Sequence, residues 1–275
     1  MQDFFQIFNY SFFQLAIIGV CIISVASAMI GTYIITRRLV AISGGVTHAC
    51  FGGLGLGYFL GINPILMAAV FAVGSSLGVE HLSRRHRIRE DSAIAVIWAI
   101  GMAIGVLFVF LTPGYVPELN TFLFGNILTI SVADVWVFAA FTAVLILFFA
   151  WRFQQIVACA FDRDFARVSG LPVRFISTTM TVMVALCIVL TIRLVGVMLL
   201  MSMLSLPIMI AEVYFHRFKQ LMFASVGISL FACLVGLFIG AAVEVPCSAL
   251  IVMTLAALFL LAKATHPLLK PKQIP

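Results

Sequence analysis

One histidine stands inside a run of glycines. Ser43 to Pro64 reads SGGVTHACFGGLGLGYFLGINP, with seven glycines and His48 near its start. Gly44 and Gly52 lie one helical turn to either side of His48, on the same face. The stretch is apolar enough to enter a bilayer, and glycines this dense let helix backbones approach closely in lipid. An ionisable side chain at membrane depth is expensive to bury and marks a functional site by default. A neutral imidazole is a ligand for zinc and manganese-like cations. The competing reading is a hydrogen bond to a neighbouring helix, and on position alone the two stand level.

A second group of chemically capable residues is the charged segment Asp162-Arg163-Asp164-Phe165-Ala166-Arg167-Val168-Ser169-Gly170. Asp162 is placed to cap a short helix, Arg167 lies within it, and Gly170 would end it. Such a helix at the membrane surface suits the docking of a partner, although an ordinary solvated loop has the same composition. Pro207 falls within a long apolar run, where it removes a backbone hydrogen bond and favours a kink. Glu118 and Glu244 lie where they can attract a cation or a delivery protein, or be merely solvated. Glu80, His81 and His86 sit beside arginines that repel cations, which argues against a metal site there. Methionines such as Met198, Met201, Met203 and Met209 read as packing rather than soft-metal ligands. The six cysteines are scattered without a CxxC pair and read as reduced, small apolar residues. Neither an HExxH protease motif nor a GxxxxGK[ST] nucleotide loop occurs.

The elements that must position these groups are membrane helices. The 275 residues are 64% hydrophobic and 9% charged, with a mean hydropathy of +1.22. A soluble domain carries about 25% charged residues. Soluble enzymes and nucleic-acid binders are therefore set aside, and the net charge of +6 reports topology instead. The first ten residues hold Asp3 but no basic residue, so a cleavable signal peptide is not expected.

Runs of about 20 apolar residues predict about nine spans: 12–35, 40–60, 65–82, 92–111, 132–151, 175–192, 194–215, 221–241 and 248–262. A polar loop is expected over 152–174 and a possible short helix through Phe124-Gly125-Asn126. With Arg37 and Arg38 in the cytoplasm and alternating spans, every Lys and Arg except Arg193 falls on the cytoplasmic side. The expected architecture is thus an all-α, polytopic bundle forming one transmembrane permease domain over residues 1–275, with the N-terminus outside and the C-terminus inside. No loop separates the sixth and seventh spans.

The chain resembles the zinc- and manganese-importing ABC transporter permeases, the ZnuB/MntB-like family. The resemblance runs from about Gly31 to Leu261. It rests on Thr47-His48-Ala49 with the following glycines, Gly61-Ile62-Asn63-Pro64, Asp91-Ser92-Ala93-Ile94 and Leu123-Phe124-Gly125-Asn126-Ile127-Leu128. It continues through Asp162, Phe165-Ala166, Gly170-Leu171-Pro172, Val195-Gly196-Val197, Pro207 and Pro246. The resemblance implies a non-enzymatic subunit of an ATP-driven importer in a bacterial cell membrane, the inner membrane in a Gram-negative cell. Two permease copies would join two ATP-binding subunits and an extracytoplasmic metal-binding protein, with no nucleic-acid partner. ATP would be held by the partner subunit, and this chain would hold no cofactor of its own.

The resemblance also implies that His48 ligates the transported zinc or manganese, with Gly44, Thr47, Gly52, Gly53 and Pro207 as pathway or packing positions. Asp162, Arg163, Asp164, Phe165, Ala166, Arg167 and Gly170 would form the ATPase-coupling loop. Many family members carry an aspartate where Gly44 stands, so here the carboxylate is missing. Two rival readings are an ion-coupled secondary metal carrier, which needs intramembrane acids, and an ABC permease for a metal chelate such as a siderophore.

Overall fold

The computed structural model describes residues 10–86, 89–114, 125, 127, 130–243 and 245–269. Among them are nine helices and no strand: α1 Ser11–Thr36, α2 Val40–Leu60, α3 Pro64–His86, α4 Glu90–Leu111, α5 Val132–Phe161, α6 Arg163–Val168, α7 Val173–Glu212, α8 Phe218–Val243 and α9 Cys247–Leu269. Eight of them are long and apolar enough to cross a membrane, α6 being the exception. The acids Glu118 and Glu244, and the short helix anticipated at Phe124 and Asn126, lie outside the described residues.

Two expected boundaries differ. The loop expected from Arg152 is helical as far as Phe161, continuing α5. Arg152 departs from helical geometry (φ −116°, ψ 19°) and lays its guanidinium 4.0 Å from the Trp151 ring centroid. The helix continues beyond it because Ile156, Cys159 and Ala160 recur at helical spacing and are buried. The sixth and seventh predicted spans follow one another without a loop, together labelled α7, and part at Gly196 (φ 79°, ψ 172°) rather than at Arg193. The 40 residues of α7 amount to about 60 Å at 1.5 Å per residue, twice a bilayer core. Gly196 is the residue of α7 with non-helical dihedrals; the helix runs on through Pro207, which is buried.

The chain forms two compact units. One draws on the ranges Met1–Thr32, Phe124–Thr142 and Leu194–Pro275, the other on Tyr33–Leu123 and Ala143–Arg193. In the first unit, a methyl group on Gly31 would lie 2.5 Å from the Leu204 carbonyl oxygen, so α1 and α7 meet backbone to backbone. Gly125 rests on the Val195–Gly196 peptide, against the break in α7. Met203 is fully buried and its sulfur accepts hydrogen bonds from Ser229 Oγ (3.5 Å) and Cys233 Sγ (3.3 Å). It is a packing residue. All six cysteines are free thiols, five of them buried.

The second unit holds both groups singled out by the sequence. Asn63 ends the α2–α3 turn, its side-chain oxygen accepting from the backbone N–H of Ile65 (3.0 Å) and Leu66 (3.3 Å), with Pro64 as the first helical residue. α2 packs most extensively against α4 and next against α3.

Candidate functional site

The glycines of α2 divide between two faces. Gly45, Gly52 and Gly55 meet α4; Gly53 and Gly57 meet α3. A methyl group on Gly52 would lie 2.7 Å from the Gly101 carbonyl oxygen, and one on Gly55 would lie 2.5 Å from that of Gly105. One on Gly57 would lie 2.8 Å from Pro64 Cα. α4 answers with glycines of its own: a methyl at Gly101 would lie 2.5 Å from Ala49 Cα. In lipid, where apolar helix faces gain nothing from leaving water, this backbone proximity is what holds a helix pair together.

His48 belongs to the α4-facing side of this seam. It sits three residues after Gly45 and four before Gly52, so all three share a face. Trp98 sits four residues after Ile94 and three before Gly101 on the opposing face of α4. The two rings stack, with centroids 4.6 Å apart and planes 2° from parallel. His48 is half-buried and Trp98 is 43% exposed, so the pair lies at the open edge of the seam. Stacking fixes the imidazole plane but leaves its in-plane nitrogen lone pair available, which is the direction a metal needs.

The neighbours of His48 supply no further ligand. Gly44 is buried and has no side chain. Thr47 is fully buried and donates its hydroxyl to the Ser43 carbonyl oxygen on its own helix, at 2.5 Å. Cys50 is fully buried. Among the described residues, no group of three or more His, Cys, Asp or Glu side chains gathers where it can hold a metal ion. Of these α2 residues, His48 alone presents a side chain that can meet a cation. Sequence reasoning missed Trp98; the signal was an indole in the middle of an aliphatic span, at helical spacing from two glycines.

The second group is a capped helix. Asp162 is extended (φ −146°, ψ 107°) and its carboxylate accepts from the backbone N–H of Asp164 and Phe165, both at 2.9 Å. The helix closes with Gly170 N–H donating to Arg167 O (3.1 Å) and Leu171 N–H donating to Ala166 O (3.0 Å). Gly170 takes φ 75°, a left-handed conformation open to glycine without steric cost. This six-residue helix buries Ala166 and exposes Phe165 (66%) and Val168 (89%). Arg167 and Asp164 pair at 3.7 Å in open solvent, which stabilises little. Two apolar side chains are held out on a capped turn, the geometry expected of a docking knob. Val168→Asp is expected to abolish co-purification of a docked partner while leaving the thermal unfolding midpoint within about 1 °C, because an exposed substitution costs less than about 0.5 kcal/mol. A normal pull-down would remove Val168 from the interface.

Arg163 points the other way. Its Nη1 lies 3.3 Å from Glu90 Oε1 and its Nη2 donates to Ser177 Oγ at 2.8 Å. Ser177 in turn donates to Glu80 Oε1 at 2.8 Å. None of these partners was anticipated: the three contacts join residues 73, 14 and 97 positions apart in sequence. Pro207 belongs to the first unit.

Comparison with known proteins extends over nearly the whole chain. The family model described as "ABC 3 transport family" matches residues 9–266. An uncharacterized membrane protein of Synechocystis sp. is 34% identical over 259 residues, covering 94% of this chain and 92% of the relative. The manganese import system permease protein ScaB of Streptococcus gordonii is 28% identical, covering 95% and 94%. Among solved structures, PsaBC from Streptococcus pneumoniae in complex with Fab superposes with a TM-score of 0.83 at 27% identity, covering 95% of this chain and 94% of that one. The helices, their apolarity and these matches establish that this multi-pass bacterial membrane protein belongs to the ABC 3 transport family.

Proposed function

We propose that this chain is the permease subunit of an ATP-driven importer of a divalent transition metal ion, manganese or zinc. The observation that carries the reading is the His48 imidazole, stacked on Trp98 at the open edge of the glycine-packed α2–α4 seam. The likeness to a manganese import permease over 95% of the chain supports the same cargo class. The chain supplies passage and no bond-making chemistry. His48 ligates the ion transiently, and a single imidazole per chain is a weak site, as release requires. A second copy of the chain brings a second His48, water completes the coordination sphere, and an extracytoplasmic binding protein delivers the ion.

Two ATP-binding subunits dock on α6 at the cytoplasmic face, through Phe165, Val168 and Arg167. ATP binding and hydrolysis there rock the two permeases between outward- and inward-open states. An ion-coupled carrier acting alone is less well supported. It needs acids in mid-membrane, and the described acids Glu80, Glu90, Asp91, Asp134, Asp162, Asp164 and Glu212 all lie within about two turns of a helix end.

The test is ATP hydrolysis by this chain co-purified with a candidate ATPase and binding protein, with manganese, zinc, iron and a ferric siderophore compared. Stimulation by ionic manganese or zinc is expected. Stimulation by the siderophore alone would put a chelate permease in its place, and metal flux by the isolated chain in liposomes would put the secondary carrier first.

A further inference from the structure

The docking knob and the His48–Trp98 pair are joined by one carboxylate. Glu90 is the first residue of α4. Its Oε1 lies 3.3 Å from Arg163 Nη1, at the start of α6, and 3.6 Å from Arg37 Nη2, just past the end of α1. The Arg37 side chain is only 7% exposed, and its Nη1 donates to the Tyr33 hydroxyl at 3.0 Å. Arg38, next in the chain, adopts φ 57°, a left-handed conformation unfavourable for a residue with a Cβ. The turn after α1 thus adopts a conformation disfavoured for arginine, and Arg37 is held inward there. On the far side, Arg163 reaches Ser177 at the start of α7, and Ser177 and Thr178 both donate to the Glu80 carboxylate on α3 (2.8 and 3.4 Å). Five chain segments meet in one chain of ion pairs and hydrogen bonds.

α4 continues from Glu90 as an unbroken helix. Trp98 is eight residues further on, about 12 Å along the axis at 1.5 Å per residue. Beyond it Gly101 and Gly105 are locked against Ala49 and Phe51 of α2. A helix packed backbone to backbone moves as a rod, since close-packed interiors do not deform continuously.

We propose that Glu90 couples the ATPase-docking helix to the metal pathway: Arg163 passes the motion of α6 to Glu90, and α4 carries it as a rigid rod to Trp98 and so to His48. This inference rests on the proposed function. Arg37 is the fixed point against which the pair works, and the Ser177–Glu80 limb keeps Arg163 from swinging away. Arg163 is suited to this because its planar fork can hold two partners at once, which an ammonium on the same stem cannot match.

The experiment uses the complete complex in proteoliposomes, with Trp136 and Trp151 replaced by phenylalanine so that Trp98 is the sole indole of this chain, and the emission of a matching complex that also carries Trp98→Phe is subtracted. Manganese uptake, ATP hydrolysis and Trp98 emission on adding a non-hydrolysable ATP analogue are recorded together. The complex with Glu90 intact should shift Trp98 emission on nucleotide binding. Glu90→Gln should abolish that shift and lower manganese imported per ATP hydrolysed about fivefold, with assembly intact. Arg163→Lys should give a smaller loss of the same kind, and combining the two should be no worse than Glu90→Gln alone. It also serves as the second variant should Glu90→Gln fail to assemble. An unchanged emission shift with an unchanged uptake-to-hydrolysis ratio in both variants would overturn the inference while leaving the importer reading standing. A complex with Glu90 intact that imports neither manganese nor zinc with ATP would instead overturn the importer reading, and the coupling role with it.

Discussion

His48→Ala is expected to reduce metal uptake by about a hundredfold, equivalent to about 3 kcal/mol of lost binding at the rate-limiting site, without preventing assembly with the ATPase. The loss is large because nothing nearby replaces the imidazole. Position 44 is glycine, the Thr47 hydroxyl is engaged with the Ser43 carbonyl, and Cys50 is buried. Assembly survives because His48 is half-buried at the edge of the seam, where a truncation opens no sealed cavity. Trp98→Phe keeps an aromatic face against the imidazole and should retain most of the uptake, whereas Trp98→Ala frees the ring and should weaken it. Uptake of the radioactive ion in proteoliposomes reads all three. Full uptake by His48→Ala would take this residue out of the pathway.

Gly105→Ala is expected to destabilise the protein, although alanine is the better helix former by about 1 kcal/mol. The added methyl would meet the ring of Phe51 and lie 2.7 Å from its carbonyl oxygen, so α2 and α4 must separate. Overpacking of this kind costs about 1–3 kcal/mol, and more where backbone has to move. The clash therefore outweighs the propensity gain. Gly74, on α3, is the control: a methyl there would meet nothing within 4 Å, so Gly74→Ala gains propensity alone and should be neutral or slightly stabilising. Thermal unfolding of the two variants in detergent micelles, followed by circular dichroism, separates the contributions. A midpoint for Gly105→Ala at or above that of the unsubstituted chain would mean that the seam is looser than these distances indicate. Gly101→Ala, whose methyl would lie 2.5 Å from Ala49 Cα, should behave like Gly105→Ala.

Much of this was legible in the amino-acid sequence, and for local reasons. Apolar runs of bilayer length define the helices because every backbone group in lipid must be satisfied within its own segment. The caps of α6 were legible because an Asp before a helix and a Gly after it act on backbone groups two to five residues away. The same locality explains the misplaced boundaries. Arg152 and the residues after it are polar enough to read as a loop, yet the buried face of Ile156, Cys159 and Ala160 keeps them helical. The break in α7 falls at Gly196 rather than at the charge of Arg193, because only glycine takes φ 79° without strain.

The site divides along the same line. His48 stood out by itself, since a titratable group among glycines in an apolar run is improbable without a reason. Its partner Trp98, 50 positions away, did not. Nor did the link from Glu90 through Arg163 and Ser177 to Glu80: Arg163 was read as part of the coupling loop and Glu80 as an acid among arginines, with no connection between them. The sequence alone determined a helical membrane protein, the capped turn of α6 and the one imidazole in its glycine-rich helix, because each is written in neighbouring residues. Only the tertiary structure decided which glycine face meets α4, that His48 lies flat on Trp98, and that Glu90 is shared by two arginines. Those outcomes depend on how closely separate helices approach, a quantity fixed by side-chain volume at the contact rather than by local propensity.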